Sequence, residues 1–114
     1  MMQDWNTYRE SLLERVGDYA TQTPDVMRGL MTIENAAGKT GYLEPKMHEL
    51  IALAVAVTTR CDGCIAVHTK KAAEAGATLG EISEALGVAI ALNAGAALTY
   101  SARVIETYQQ LPNE

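Results

Sequence analysis

Apolar residues return along this chain at steps of three and four, and no stretch alternates as a strand requires. Trp5, Tyr8, Leu12, Val16 and Tyr19, with Leu13 beside them, predict one amphipathic helix from about Asp4 to Ala20. Thr21-Gln22-Thr23 is a polar break. Thr23 then offers an N-cap with Pro24 at the first helical position, and Val26, Met27, Leu30, Met31 and Ile33 continue a second helix to roughly Asn35. Ala36 to Leu43 holds two glycines and reads as a loop. Pro45 opens a third helix ending near Thr59, and its run from Leu50 to Val57 is apolar on every face. Such a segment is buried all round, within the domain or in a subunit interface. A fourth helix starts within Cys61–Cys64 and stops at Gly76. Thr78 and Glu81 form a capping box for a fifth helix with Ile82, Leu86, Ala89 and Ile90 on its inner side. Asn93 is read as the cap of a sixth, carrying Ala96, Ala97, Tyr100, Val104 and Tyr108 until Pro112. The expected fold is all-α, about six helices, with no repeat and no linker.

Composition narrows this picture. A chain of 114 residues makes one domain, with helices over 1–40 leading into a core over 45–111. The hydrophobic share of 48% is rich in Ala and includes no Phe, which favours close helix contacts finished by a partner subunit. Trp5 and the Tyr and Met residues, at helical spacings, read as packing. A net charge of −5 argues against nucleic acid and anionic membranes as partners. The first residues lack a basic stretch followed by an apolar one, and Leu50–Val57 is too short to span a bilayer, so a soluble, cytoplasmic protein is expected.

The chemistry-bearing residues cluster. Cys61 and Cys64 are three apart, and His68 follows Cys64 by four, so one turn of helix aligns two thiols that can bridge with an imidazole that can move a proton. A C-x-x-C pair at a helix start is a redox device, because the positive helix end stabilises a thiolate and the second thiol resolves a mixed disulfide or sulfenic acid. Arg60 adds a positive charge. Helix-end electrostatics favours Cys61 as the more acidic thiol; the spacing to His68 favours Cys64.

Other readings weigh less. Cys61, Cys64 and His68, with His48 or Glu49, supply ligand types that zinc accepts, but a structural zinc site draws on a second ligand pair that this chain lacks. Gly38-Lys39-Thr40 is not a phosphate-binding loop, since the full glycine pattern is absent. Glu49 can face solvent or the site, a choice that periodicity leaves open, and His48 reads as a surface or interface residue.

The spacing Glu49, Cys61-x-x-Cys64, His68, with Cys61 to His68, Ala75 to Thr78 and Glu81 to Ala89, resembles the alkylhydroperoxidase D-like branch of the carboxymuconolactone decarboxylase family. The resemblance covers about half the chain, from Pro45 onward. It implies an all-helical homo-trimer or homo-hexamer with thiol peroxidase activity on hydroperoxides. By that resemblance Cys64 attacks, Cys61 resolves, and Glu49 with His68 relays the proton. It also implies no bound cofactor, and a dithiol reductant protein of lipoyl-bearing or thioredoxin-like type. Alternatives within the family are a protein disulfide reductase or redox sensor, and a decarboxylase, whose branch generally lacks the cysteine pair. One departure is Gly63, where some family peroxidases carry a second histidine.

Overall fold

The computed structural model describes residues 1–113, which form five helices and, among those residues, no strand. Helix α1 spans Trp5–Gln22 and is capped by Asp4, whose carboxylate accepts the Thr7 N–H at 3.0 Å. Thr23 ends α1 and begins α2, Pro24–Thr40, with proline at the first position. Helix α2 runs past Asn35 through most of the expected loop. Ala36 and Ala37 are good helix formers, and the stop is Gly41, left-handed at φ 80°, not Gly38.

Helix α3, Pro45–Thr59, is the centre of the fold, with α4 and α5 packed on it; α1 lies on α4 and α2. Leu50, Leu53 and Ala56 are the buried residues of α3; Ala66 and Ala72 of α4, and Ala89 of α5, meet them in the core. This is the Ala-rich, closely approached core that the composition predicts.

Helix α5, Leu79–Gln109, replaces the fifth and sixth helices expected from the sequence. Its capping box is present: Thr78 Oγ1 accepts the Glu81 N–H, and the Glu81 carboxylate accepts the Thr78 N–H. Asn93 does not start a new helix. Its side-chain amide donates to the Ala89 carbonyl at 2.7 Å and to Thr58 Oγ1 at 2.9 Å, which ties α5 to the end of α3. An asparagine side chain serves equally well as a cap or as a bridge between helices, and only the packing decides.

At about 1.5 Å per residue α5 is about 46 Å long, roughly twice α3, so its second half projects beyond the core. The radius of gyration is 19.1 Å, against about 13–14 Å for a compact chain of this size. By length and composition alone, α5 qualifies to cross a membrane; core and interface helices meet the same description. In the single chain, the apolar segment of α3 is covered on one side only, and Ile51 and Val55 stay about half exposed.

Candidate redox site

The site is built at the junction of α3 and α4. Arg60 takes a left-handed conformation, φ 56°, and the Cys61 N–H bonds back to the Ala56 carbonyl at 3.0 Å. This closes α3 with a Schellman-type end. Cys61 is also the N-cap of α4, Asp62–Glu74, its sulfur accepting the Cys64 N–H at 3.1 Å. Two helix ends thus share one cysteine. Cys61 and Cys64 are joined in a disulfide, with Cα atoms 5.2 Å apart.

His68 stands one turn beyond Cys64 on α4, and its Nδ1 lies 2.6 Å from Glu49 Oε2 on α3. Both side chains are mostly shielded, at 27% and 18% exposure. Glu49 therefore faces the site and not solvent, the choice that periodicity leaves open. A carboxylate on Nδ1 fixes the ring's orientation and leaves Nε2 to exchange a proton. A cleft of about 600 Å³ reaches this pair from the α2 side. Glu49 and His68 form part of its wall, along with Met31 from α2, Tyr42 and Leu43 from the loop, and His48. His48, half-buried, also lines the cleft. Lys71 also borders the cleft, but no arginine does.

Two contacts from α1 were invisible to the spacing argument. Arg9 Nε donates to the Ala66 carbonyl at 2.7 Å. A Cβ on Gly63 would stand 2.7 Å from Leu12 Cδ2, well inside contact distance. Leu12 and Arg9 look like ordinary helix residues in the chain, and no local signal reveals a partner more than fifty positions away. Among the described residues, no group of three or more His, Cys, Asp or Glu side chains stands where it could hold a metal ion.

Fold and site together define an all-helical protein with a C-x-x-C disulfide at a helix start and a histidine–carboxylate pair one turn away. Residues 24–107 match the sequence profile of the carboxymuconolactone decarboxylase family. The chain belongs to that family, which includes enzymes. It is 44% identical over 108 residues to an uncharacterized protein of Haemophilus influenzae, covering 95% of this chain and 96% of that one. Among solved structures, it resembles a carboxymuconolactone decarboxylase family protein of Legionella pneumophila, with a TM-score of 0.73 and 31% identity over 93% of this chain and 95% of that one. A protein of Methanobacterium thermoautotrophicum matches with a TM-score of 0.71 and 31% identity, over 78% of this chain and 97% of that one.

Proposed function

We propose that the protein is a thiol peroxidase of the alkylhydroperoxidase D-like type, cycling Cys61 and Cys64 between dithiol and disulfide. In the reduced state, His68 takes the Cys64 proton, and Glu49 stabilises the imidazolium that results. The Cys64 thiolate attacks the terminal oxygen of a hydroperoxide. The O–O bond breaks, the alkoxide takes a proton and leaves as alcohol, and Cys64 becomes a sulfenic acid. The Cys61 thiol then displaces water from that sulfur and closes the disulfide. A dithiol reductant returns two electrons and two protons; a lipoyl-bearing or thioredoxin-like protein of the cytoplasm has the right chemistry. The observation that carries this reading is the 2.6 Å Glu49–His68 pair beside a formed Cys61–Cys64 disulfide. The cleft against the pair, with Met31, Leu43 and Ile51 in its wall, offers an organic molecule apolar surface beside His68; neither cysteine lines it.

A subunit assembly belongs to the same proposal. The chain exposes 9035 Å², about 3,000 Å² more than a compact monomer of its mass would. Ile51 and Val55 of α3 and Val88 and Leu92 of α5 line one apolar groove, and the outer half of α5 leaves Leu98, Val104 and Ile105 exposed on its other faces. Excess area of that size suits an obligate homo-oligomer, a trimer or hexamer in the family's manner.

Thiol counting before and after one equivalent of a small organic hydroperoxide tests the reading, on the wild type and on His68→Ala. Prompt loss of both thiols in the wild type, slowed about 10²–10⁴-fold in the variant, is expected of a histidine relay. Thiols that persist in both would end it.

One observation favours a second reading, disulfide exchange with proteins. The Cys64 N–H on the Cys61 sulfur would stabilise a thiolate at Cys61, as in enzymes that attack with the first cysteine. Trapping the mixed disulfide in Cys61→Ser and Cys64→Ser variants separates the two, since only the attacking cysteine holds the partner. Carboxylactone turnover retained after both cysteines become Ala would instead favour the decarboxylase chemistry.

A further inference from the structure

We propose that helix α1 is a positioning clamp on the dithiol turn, with Leu12 and Arg9 setting how strongly Cys61 and Cys64 favour the disulfide. The inference rests on reading that cysteine pair as a working redox couple. Three observations carry it. Leu12 occupies the space that a side chain at position 63 would need, inside the C-x-x-C turn itself. Arg9 bonds to the carbonyl of Ala66, two residues past Cys64 and only 2% exposed, and is itself held by Asn6 at 3.0 Å. Helix α1 has no fully buried residue of its own and packs on α4 and α2, with Leu12 and Arg9 its contacts at and beside the dithiol turn.

The physical logic is linkage. Any group that packs better on one redox state of the turn shifts the equilibrium toward that state by the same factor. In the bridged turn, Leu12 seats on the bare backbone of Gly63, and Arg9 caps the next carbonyl face of α4. Opening the disulfide frees the Cys61 side chain and loosens the turn against which both residues pack. The clamp therefore favours the bridged state. A larger residue at position 63 would have to displace the Leu12 side chain from the turn.

The test equilibrates the full chain with reduced and oxidised dithiothreitol and counts protein thiols. In this exchange the dithiol passes two electrons and two protons to oxidised dithiothreitol, yielding the protein disulfide and reduced dithiothreitol. Leu12→Ala and Arg9→Met are each expected to lower the equilibrium constant for disulfide formation about threefold or more. Gly63→Leu is expected to lower it about tenfold, and the size swap Leu12→Ala with Gly63→Leu to recover most of that loss. A merely structural role would lower the melting temperature without moving this constant. Constants within a factor of two of wild type in Leu12→Ala and Arg9→Met would overturn the clamp, as would purely additive effects in the swap. Should Gly63→Leu fail to fold by circular dichroism, those two single variants decide alone. Because no peroxide is present, a failure of peroxide reduction leaves this result readable. A wild type whose thiols never exchange with dithiothreitol would remove the couple on which the clamp acts.

Discussion

The α3–α4 pair and the helices outside it, α2 and the far half of α5, are built from similar residues but are held differently. Between α3 and α4, five of the six buried apolar residues meet, and a carboxylate and an imidazole pair across the joint. Helix α2 buries nothing, and α5 buries only Ala89. Yet α5 carries Ile90, Leu92, Leu98 and Val104, more apolar side chain than the core itself. The α3–α4 joint is thus packed within the single chain, whereas α5 leaves most of its apolar side chain exposed. The comparison separates two roles that an apolar helix can have: α3 orders a site, whereas α5 offers a surface.

Single substitutions can break or sharpen that contrast. Leu53→Ala removes a core side chain that is 3% exposed and should cost about 2–5 kcal/mol in urea unfolding. The same truncation at Ile90, which is 68% exposed in the single chain, is the sharper measurement. If α5 is covered by another copy, Ile90→Ala should cost about 2 kcal/mol or more; on a lone chain it should stay within about 0.5 kcal/mol. Leu92→Asp should turn a sedimenting oligomer into a smaller species while leaving the Cys61–Cys64 disulfide able to form. Unchanged sedimentation would move the interface away from the α3–α5 groove.

Smaller effects probe how α5 begins. Thr78→Ala removes the side-chain half of the capping box and should cost about 1 kcal/mol, read from thermal melts. The Lys46–Glu81 pair, 2.7 Å apart, joins α3 to that first turn. The Lys46 ammonium and the Thr78 N–H hold the Glu81 carboxyl below its ordinary 4.5. A carboxyl lowered in the folded state stabilises fully above its ordinary value and loses that contribution as pH falls through the lowered one. Melting temperature between about pH 3 and 6 should therefore fall more steeply with acid in the wild type than in Lys46→Met, though the pair is partly exposed and the difference small.

Much of this architecture is legible in the sequence, for local reasons. Proline at 24 and 45, the Thr78–Glu81 box and the three-and-four spacing of apolar residues are rules of a single helix, and the structure follows them. Cys64 and His68 follow the helix period too, whereas Cys61 is the extended N-cap of α4 and meets Cys64 from outside the helix. What the sequence hides depends on choices made by packing. Whether Gly38 or Gly41 stops α2, and whether Asn93 caps or bridges, are near-degenerate locally and settled by what lies opposite. Glu49 belongs to both kinds, since its position is readable but its facing is not. Leu12 lies on the apolar stripe that marks the inner face of α1, but nothing local names Gly63 as its partner, and the bond from Arg9 to Ala66 is wholly tertiary.

Cys61 is fastened at both ends, its N–H serving the carbonyl of Ala56 and its own sulfur the amide of Cys64. In the bridged state its backbone is held by both helix termini. Swinging the sulfur toward or away from Cys64 is then a rotation about one side-chain bond, an event of picoseconds to nanoseconds, where a turn that had to unwind would need microseconds or longer. The left-handed Arg60, at a strain of about 1–2 kcal/mol, is what lets a single residue hold both helices at once. In the proposed cycle, closing the bridge would then ask for a side-chain rotation and a small settling of the turn beneath Leu12 and Arg9.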